Sequence, residues 1–197
     1  MKLKTTLFTV LVASLMFFPG VGAQFVCDVV NSNCPSGDTD LLHLFSRENA
    51  HAELFTGTDY TWRLCCSGVP GLSTIQQGVR GTDYDVILKL NLPTDSHVQK
   101  NTSAGYTNEV YISVDHGGIT VDCSYTANPL NTCQDEFGPD YVCLVTMFQD
   151  TDSHISDCDG PDPFDIKVCC KVDADTQPPT FTLSEPSEEW INETSFP

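Results

Sequence analysis

Residues 41–66 read LLHLFSRENAHAELFTGTDYTWRLCC, and residues 87–112 read ILKLNLPTDSHVQKNTSAGYTNEVYI. The two stretches align without a gap. A third copy at residues 144–170, LVTMFQDTDSHISDCDGPDPFDIKVCC, needs one inserted residue. Self-similarity of this kind is the sequence signature of a repeat protein. The threefold repeat therefore decides the architecture of the chain.

Each copy has the same parts in the same order. A short apolar segment (Leu41 to Phe45, Ile87 to Leu92, Leu144 to Phe148) precedes an Asn/Asp-Ala/Ser-His element that ends in His51, His97 and His154. A polar loop, an aromatic residue (Tyr60, Tyr106, Phe164) and a closing segment follow. Short apolar runs bounded by turn residues are typical of strands. The pattern predicts an all-β, antiparallel, disulfide-stapled sandwich built from three hairpin-like repeats, with connecting strands such as Gly118 to Ser124.

The ends of the chain differ from the repeats. Lys2 and Lys4 precede the apolar run Leu7 to Phe18 and a small-residue cleavage site at Ala23, which predicts a signal peptide at residues 1–23. We expect the β-repeat domain at residues 24–172 and an acidic, Pro-rich tail at residues 173–197. After the signal no apolar run approaches the length of a membrane helix, so we expect no membrane span.

The chain of 197 residues carries a net charge of −18. A surface this acidic repels phosphate backbones, so nucleic acid is not an expected partner. Ten cysteines in an exported chain indicate disulfides and a secreted, extracellular or cell-surface location. Zinc is the rival explanation for the cysteines, but no CxxC spacing occurs in the sequence.

The cysteines divide by repeat. Two matched sets of four belong to the first and third copies, and the second copy has none. Neighbouring strand residues point to opposite faces, so adjacent cysteines rarely bond to each other. Cys27 and Cys34 should therefore share Cys65 and Cys66, Cys123 and Cys133 should share Cys169 and Cys170, and Cys143 should bond Cys158. Four complete pairings remain open.

The repeat histidines His51, His97 and His154 allow two interpretations. One imidazole per repeat could converge on a metal ion, as in three-histidine sites. Equivalent positions of tandem repeats normally lie spread along a sheet, however. We therefore expect a structural role, in which each ring hydrogen-bonds its own loop through its two nitrogens.

The loop at residues 157–165 is the candidate cation site. Asp157, Asp159, Asp162 and Asp165 alternate around a Gly turn, which is a pattern that suits Ca²⁺. The spacing departs from the EF-hand order, and a solvated acidic loop is the alternative. Ca²⁺ is the only cofactor the sequence suggests.

The sequence does not predict an enzyme. Asp95-Ser96-His97 and Asp152-Ser153-His154 contain the residue types of a hydrolase triad, but consecutive residues cannot adopt its geometry. A secreted hydrolase is the least favoured alternative. Asn101 and Asn192 lie in N-glycosylation sequons, so we expect a glycoprotein if the host glycosylates them.

The Cys…Cys…Asn-Ala-His…Tyr…Cys-Cys order over residues 27–170 resembles uncharacterised, cysteine-rich exported repeat proteins of archaea and bacteria. The tail segment Asp175 to Thr180 is similar to the linker that opens many immunoglobulin-like modules of prokaryotic surface proteins. The resemblance implies an extracellular repeat protein and no catalytic role.

Together these patterns predict a secreted structural or adhesive protein of the cell surface or extracellular matrix. Its expected partner is a protein or glycan at that surface, or further copies of the chain, to which tail residues such as Phe181 and Leu183 could donate a strand. The alternative is a small extracellular module that binds Ca²⁺ or a glycan.

Overall fold

The computed structural model describes residues 24–74, 84–114, 119–126 and 128–173, and the predicted signal peptide, the tail beyond Asp173 and Asn192 lie outside these residues. The strands of the first repeat are β1 (Val26–Asn31), β2 (Thr39–Leu44), β3 (Ala52–Leu54) and β4 (Trp62–Ser67). Those of the second are β5 (Leu72–Ser73), β6 (Tyr84–Leu90), β7 (Val98–Gln99) and β8 (Asn108–Val114). Those of the third are β9 (Thr120–Thr126), β10 (Val142–Met147), β11 (Ile155–Ser156) and β12 (Ile166–Asp173).

Each repeat forms its own four-stranded antiparallel sheet. The strand orders are β1-β4-β2-β3, β5-β8-β6-β7 and β9-β12-β10-β11, so all three repeats share one topology. The register shifts at the same place in each, between residues 40 and 42, 86 and 88, and 143 and 145. The prediction of an antiparallel, disulfide-stapled all-β fold is confirmed, but the described strands form three sheets where a sandwich has two.

A short helix, α1 (Cys133–Phe137), interrupts the third repeat between β9 and β10. Thr132 caps it: its hydroxyl accepts a hydrogen bond from the backbone N–H of Asp135, and the Asp135 carboxylate accepts one from the backbone N–H of Thr132. The helix thereby places Cys133 against the closing strand of its sheet.

The three sheets share one apolar core. Equivalent positions of the second strand in each repeat are at most 2% exposed: Leu41, Leu44, Ile87, Leu90, Leu144 and Met147. Burying one such side chain contributes roughly 1.5–3 kcal/mol. One small sheet could not cover its own apolar face, so each repeat depends on the other two for burial.

A closed ring of backbone hydrogen bonds joins the repeats at one end of this core. Each bridge pairs the residue before a repeat histidine with the residue after the histidine of a neighbouring repeat. The pairs are Ala50 with Ile155, Ser96 with Ala52, and Ser153 with Val98. Each pair exchanges two N–H···O bonds of 2.8–3.0 Å. The third repeat therefore closes onto the first.

The disulfides fall within the predicted scheme and select one of its four pairings. The bonds are Cys27–Cys66, Cys34–Cys65, Cys123–Cys170, Cys133–Cys169 and Cys143–Cys158. Five disulfides are typical of a protein in an oxidising, extracellular environment. Among the described residues, no helix is long and apolar enough to cross a membrane.

The second repeat replaces one disulfide with a hydrogen bond. Asn101 and Val86 occupy the positions of Cys158 and Cys143, and Asn101 Nδ2 donates to the Val86 carbonyl at 2.7 Å. The backbone N–H of Asn101 also donates to the Tyr125 hydroxyl at 2.9 Å. A glycan on this sequon would replace one of the two hydrogens of Nδ2, the atom that donates to Val86; glycosylation stays a prediction.

Candidate metal centre

The residue two positions before each repeat histidine has an unusual backbone. Asn49, Asp95 and Asp152 have positive φ values of 46°, 46° and 52°. Asn and Asp enter this left-handed region more readily than other non-glycine residues. The kinked backbone turns the chain at the end of the core and aims the following histidine at the axis of the ring of bridges.

The three histidines converge. His97 Nε2 lies 3.1 Å from His51 Nε2 and 3.2 Å from His154 Nε2. The three pairs of ring centroids are 4.7–4.8 Å apart. The expectation that these rings lie spread along a sheet was wrong. The ring of backbone bridges puts equivalent positions around an axis, so identical side chains meet there.

Each histidine is held by the repeat that follows it. His51 Nδ1 lies 2.6 Å from Asp95 Oδ1, and His97 Nδ1 lies 2.5 Å from Asp152 Oδ1. His154 Nδ1 lies 2.6 Å from Asn49 Oδ1, which completes the cycle. The expected hydrogen bonds to each histidine's own loop are therefore replaced by bonds between repeats.

In two repeats the aromatic residue is a tyrosine that hydrogen-bonds the partner of the histidine. The Tyr60 hydroxyl donates to Asp95 Oδ1 at 2.7 Å, and the Tyr106 hydroxyl donates to Asp152 Oδ1 at 3.1 Å. In the third repeat the aromatic residue is Phe164, which has no hydroxyl, and the acceptor is the amide of Asn49. Two histidines thus have a Tyr–Asp pair behind them, and His154 has an amide alone.

These partners fix the proton on each ring. An ionised carboxylate and an amide oxygen only accept hydrogen bonds, so each Nδ1 must carry the hydrogen. In a neutral imidazole the other nitrogen, Nε2, then presents a lone pair. Three lone pairs face one another at the centre. Protonating one ring supplies a single donor for two acceptors, whereas a cation satisfies all three.

Burial and the two neighbouring rings favour the neutral, metal-binding form of His154. Burial and the neighbouring His51 and His97 lower the pKa of His154. Hydrogen bonds from His51 and Tyr60 lower the pKa of Asp95, and bonds from His97 and Tyr106 lower that of Asp152. Both carboxylates therefore remain ionised acceptors over a wide range of pH.

The geometry fits a tetrahedral transition-metal ion. Zinc–imidazole bonds of about 2.0–2.1 Å at tetrahedral angles place neighbouring nitrogens about 3.3–3.4 Å apart. Two of the three pairs of Nε2 atoms are 3.1 and 3.2 Å apart, and all three ligand atoms lie within 4.8 Å of one another. Histidines that ligate metals usually donate their other N–H to a carboxylate or carbonyl, as all three do here. The side chains of His51 and His97 are each 34% exposed, so solvent reaches the cluster.

Asp157 of the predicted calcium loop has other partners in the structure. Asp157 is buried and bonds the Arg47 guanidinium, and its Oδ1 accepts from the backbone N–H of Asp159. Within residues 24–74, 84–114, 119–126 and 128–173, the histidine cluster is the one group of three or more potential ligands placed to hold a metal. Three or more of Asp157, Asp159, Asp162 and Asp165 are not grouped in this way, and Ca²⁺ binding by this loop stays a prediction.

The serines beside the histidines are structural. Ser96 and Ser153 are buried, and each hydroxyl donates to the carbonyl of the following histidine at 2.7 Å. Each also accepts a backbone N–H, from Leu92 and Phe148 respectively. They shape the turn and do not face the imidazoles.

Sequence reasoning identified the histidines but missed Asn49, Asp95, Asp152 and the two tyrosines as their partners. A signal was present in the sequence. The repeat with Phe in place of Tyr is the one whose histidine meets Asn in place of Asp, so the hydroxyl and the carboxylate are lost together.

No protein-family model matches this chain, and searches of curated proteins and of solved structures found no match to it either.

Proposed function

We propose that this chain is an extracellular metal-binding module whose His51, His97 and His154 hold a zinc-type divalent transition ion. The observation that carries the proposal is the convergence of three Nε2 atoms whose Nδ1 atoms all donate to acceptors. Three neutral imidazoles with one open position are a ligand set that Zn²⁺ accepts in proteins. Cu²⁺, Ni²⁺ and Co²⁺ also bind imidazole nitrogen.

The second layer of the site supports a divalent charge. Asp95 and Asp152 contribute two negative charges, and Asn49 contributes none. Two carboxylates balance an M²⁺ ion held by neutral rings.

The proposal takes the binding-module alternative from the sequence, with a transition ion in place of Ca²⁺ or a glycan. Secretion through the residue 1–23 signal is part of it, supported by five disulfides. A structural or adhesive role at the cell surface and self-assembly remain predictions. Both are compatible with a metal-binding module.

The test is metal binding by the full oxidised chain after treatment with a chelator. We expect isothermal titration with Zn²⁺ to show one tight site per chain, and His51→Gln and His97→Gln each to abolish it. Asp162→Asn is the matched control, because this carboxylate is nearby but bonds no histidine. Equal loss in Asp162→Asn, or retained binding in both histidine variants, would mean that the acidic surface binds the ion without the cluster.

A further inference from the structure

Two depressions in the surface border the histidine cluster. One, of about 580 Å³, is lined by Phe45, Tyr60 and His51 among others, and the second, of about 550 Å³, by Phe148 and Phe164. Asn49 and His154 line both. Volumes of this size are within the range of small-ligand sites. The two depressions therefore meet at the one histidine that lacks a Tyr–Asp pair.

The walls of these depressions are aromatic and exposed. Phe45 is 67% exposed and Phe148 is 64% exposed. Each meets a second ring edge to face, Phe45 with Tyr60 and Phe148 with Phe164, at centroid distances of 5.5 Å. Exposed apolar patches rimmed by polar residues are typical of binding sites. These rings offer faces to a flat ligand that enters from solvent.

The charge of the rim excludes one ligand class. Asp59 and Asp95 line the first depression, and Glu48, Asp152 and Asp162 line the second. No Lys or Arg belongs to either lining. The whole chain has a net charge of −18. Carboxylates so close to the centre repel an anionic ligand and favour a neutral or cationic one.

A neutral nitrogen base satisfies these conditions together. Its lone pair fills the fourth tetrahedral position, its ring packs against the aromatic walls, and it carries no negative charge toward the rim. An imidazole ring has all three properties. The ring supplies both electrons of the new bond and displaces a water molecule, so no oxidation or proton transfer is required.

We propose that the open coordination position of this centre binds an imidazole-type nitrogen base, seated over His154 and Asn49 between Phe45 and Phe148. The inference rests on the proposed metal-binding function and names the ligand class of that site. A free imidazole and a histidine side chain offer the same coordinating nitrogen, so the proposed ligand class includes both.

The experiment uses the full chain loaded with Co²⁺, whose visible spectrum reports its coordination. Tetrahedral Co²⁺ absorption on loading tests the proposed function alone. Titration with imidazole and, separately, with acetate then tests the ligand class, with bound cobalt measured at each point to exclude stripping. We expect imidazole to shift the spectrum at least about tenfold more tightly than acetate, and a histidine-containing peptide to compete with free imidazole.

Two variants locate the ligand. Phe45→Ala and Phe148→Ala should each weaken imidazole binding about fivefold and leave cobalt affinity unchanged, because they remove aromatic contact but no ligand atom. Leu92→Ala is the matched control, since Leu92 is 55% exposed but lines neither depression. The inference is overturned if acetate binds as tightly as imidazole, or if all three variants weaken imidazole binding equally. In either case, successful cobalt loading would still support the proposed metal centre.

Discussion

At the scale of single residues, the partner of each histidine sets how well its ring donates to a metal. A carboxylate behind an imidazole raises its basicity more than an amide does, and loss of such a partner typically costs about 10–100-fold in metal affinity. Asp95 and Asp152 are 76% and 69% exposed, so their replacement leaves no buried group unpaired. These positions separate the metal site from the stability of the fold.

We expect Asp95→Asn and Asp152→Asn each to weaken Zn²⁺ binding about tenfold or more. The reverse change, Asn49→Asp, should strengthen it, because His154 then gains a carboxylate. Competition with a chromophoric chelator measures all three. Phe164→Tyr is the control for Asn49→Asp, because it changes a residue beside the same histidine but adds no charge. An Asn49→Asp variant that binds zinc more weakly than wild type would contradict this account.

The metal-free protein should lose stability as the pH falls. The pKa of His154 is lowered in the fold by burial and by His51 and His97, so the unfolded chain takes up a proton first, near the ordinary value of 6.5. This contribution to the free energy of unfolding is present above pH 6.5 and is lost as the pH drops below it.

His154→Asn should flatten that pH dependence, as measured by urea denaturation of metal-free protein between pH 7.5 and 5. His43 acts in the opposite direction. Burial alone would lower its pKa, but hydrogen bonds to Asp40 and Glu53 outweigh burial and raise it. The contribution of His154 is therefore the difference between the pH slopes of wild type and His154→Asn. Identical slopes for these two proteins would rule that contribution out.

At the scale of elements, the disulfides were predictable and the convergence of the histidines was not. Each disulfide joins two segments of one repeat, so matching cysteines between copies was enough to restrict the pairing. The meeting of His51, His97 and His154 depends on which repeat each strand end bonds. The Ala50–Ile155 bridge links residues about a hundred positions apart, and no pattern within one repeat records it.

The hairpin parts of each repeat were also visible in the sequence. The apolar and closing segments correspond to the second and fourth strands, and the predicted strand around Gly118 to Ser124 corresponds to β9. The count of sheets was not visible, since period-two patterns show which residues share a face but not which sheets pack together.

The Asn101–Val86 hydrogen bond and the Cys143–Cys158 disulfide occupy equivalent places, which permits a direct comparison. Replacing both cysteines by Ser should lower the free energy of unfolding by about 3 kcal/mol, as expected for a loop of this length. Asn101→Ala should cost about 1 kcal/mol, typical of one hydrogen bond. Denaturant titration measures both. A larger loss from Asn101→Ala than from the cysteine pair would reverse the assigned roles.

At the scale of the whole molecule, the metal centre ties the three repeats together. Each ligand comes from a different repeat, so an ion bound there opposes the separation of any repeat from the other two. Binding to the folded state alone stabilises a protein by an amount fixed by ligand concentration and affinity.

With free Zn²⁺ at about one hundred times its dissociation constant, we expect the free energy of unfolding to rise by about 2.7 kcal/mol. Thermal or chemical unfolding with and without zinc measures the change. His97→Gln should remove it, and Ca²⁺ at the same concentration should not reproduce it. Stabilisation by Ca²⁺ that disappears in Asp159→Asn would instead restore the acidic loop as a cation site.

Each histidine forms its hydrogen bond with the next repeat and not with its own, and this determines how such a site is assembled. A lone copy of the repeat holds one imidazole and one Asn or Asp, but these two groups bond different neighbours and never each other. One copy in isolation has no centre, whereas three identical, unlinked copies arranged head to tail would have a complete one. The centre therefore requires three repeats, and the present chain supplies all three within one polypeptide. Where the third repeat meets the first, Phe164 and Asn49 stand in place of the Tyr and Asp found at the other two junctions, so the ring is not fully symmetric.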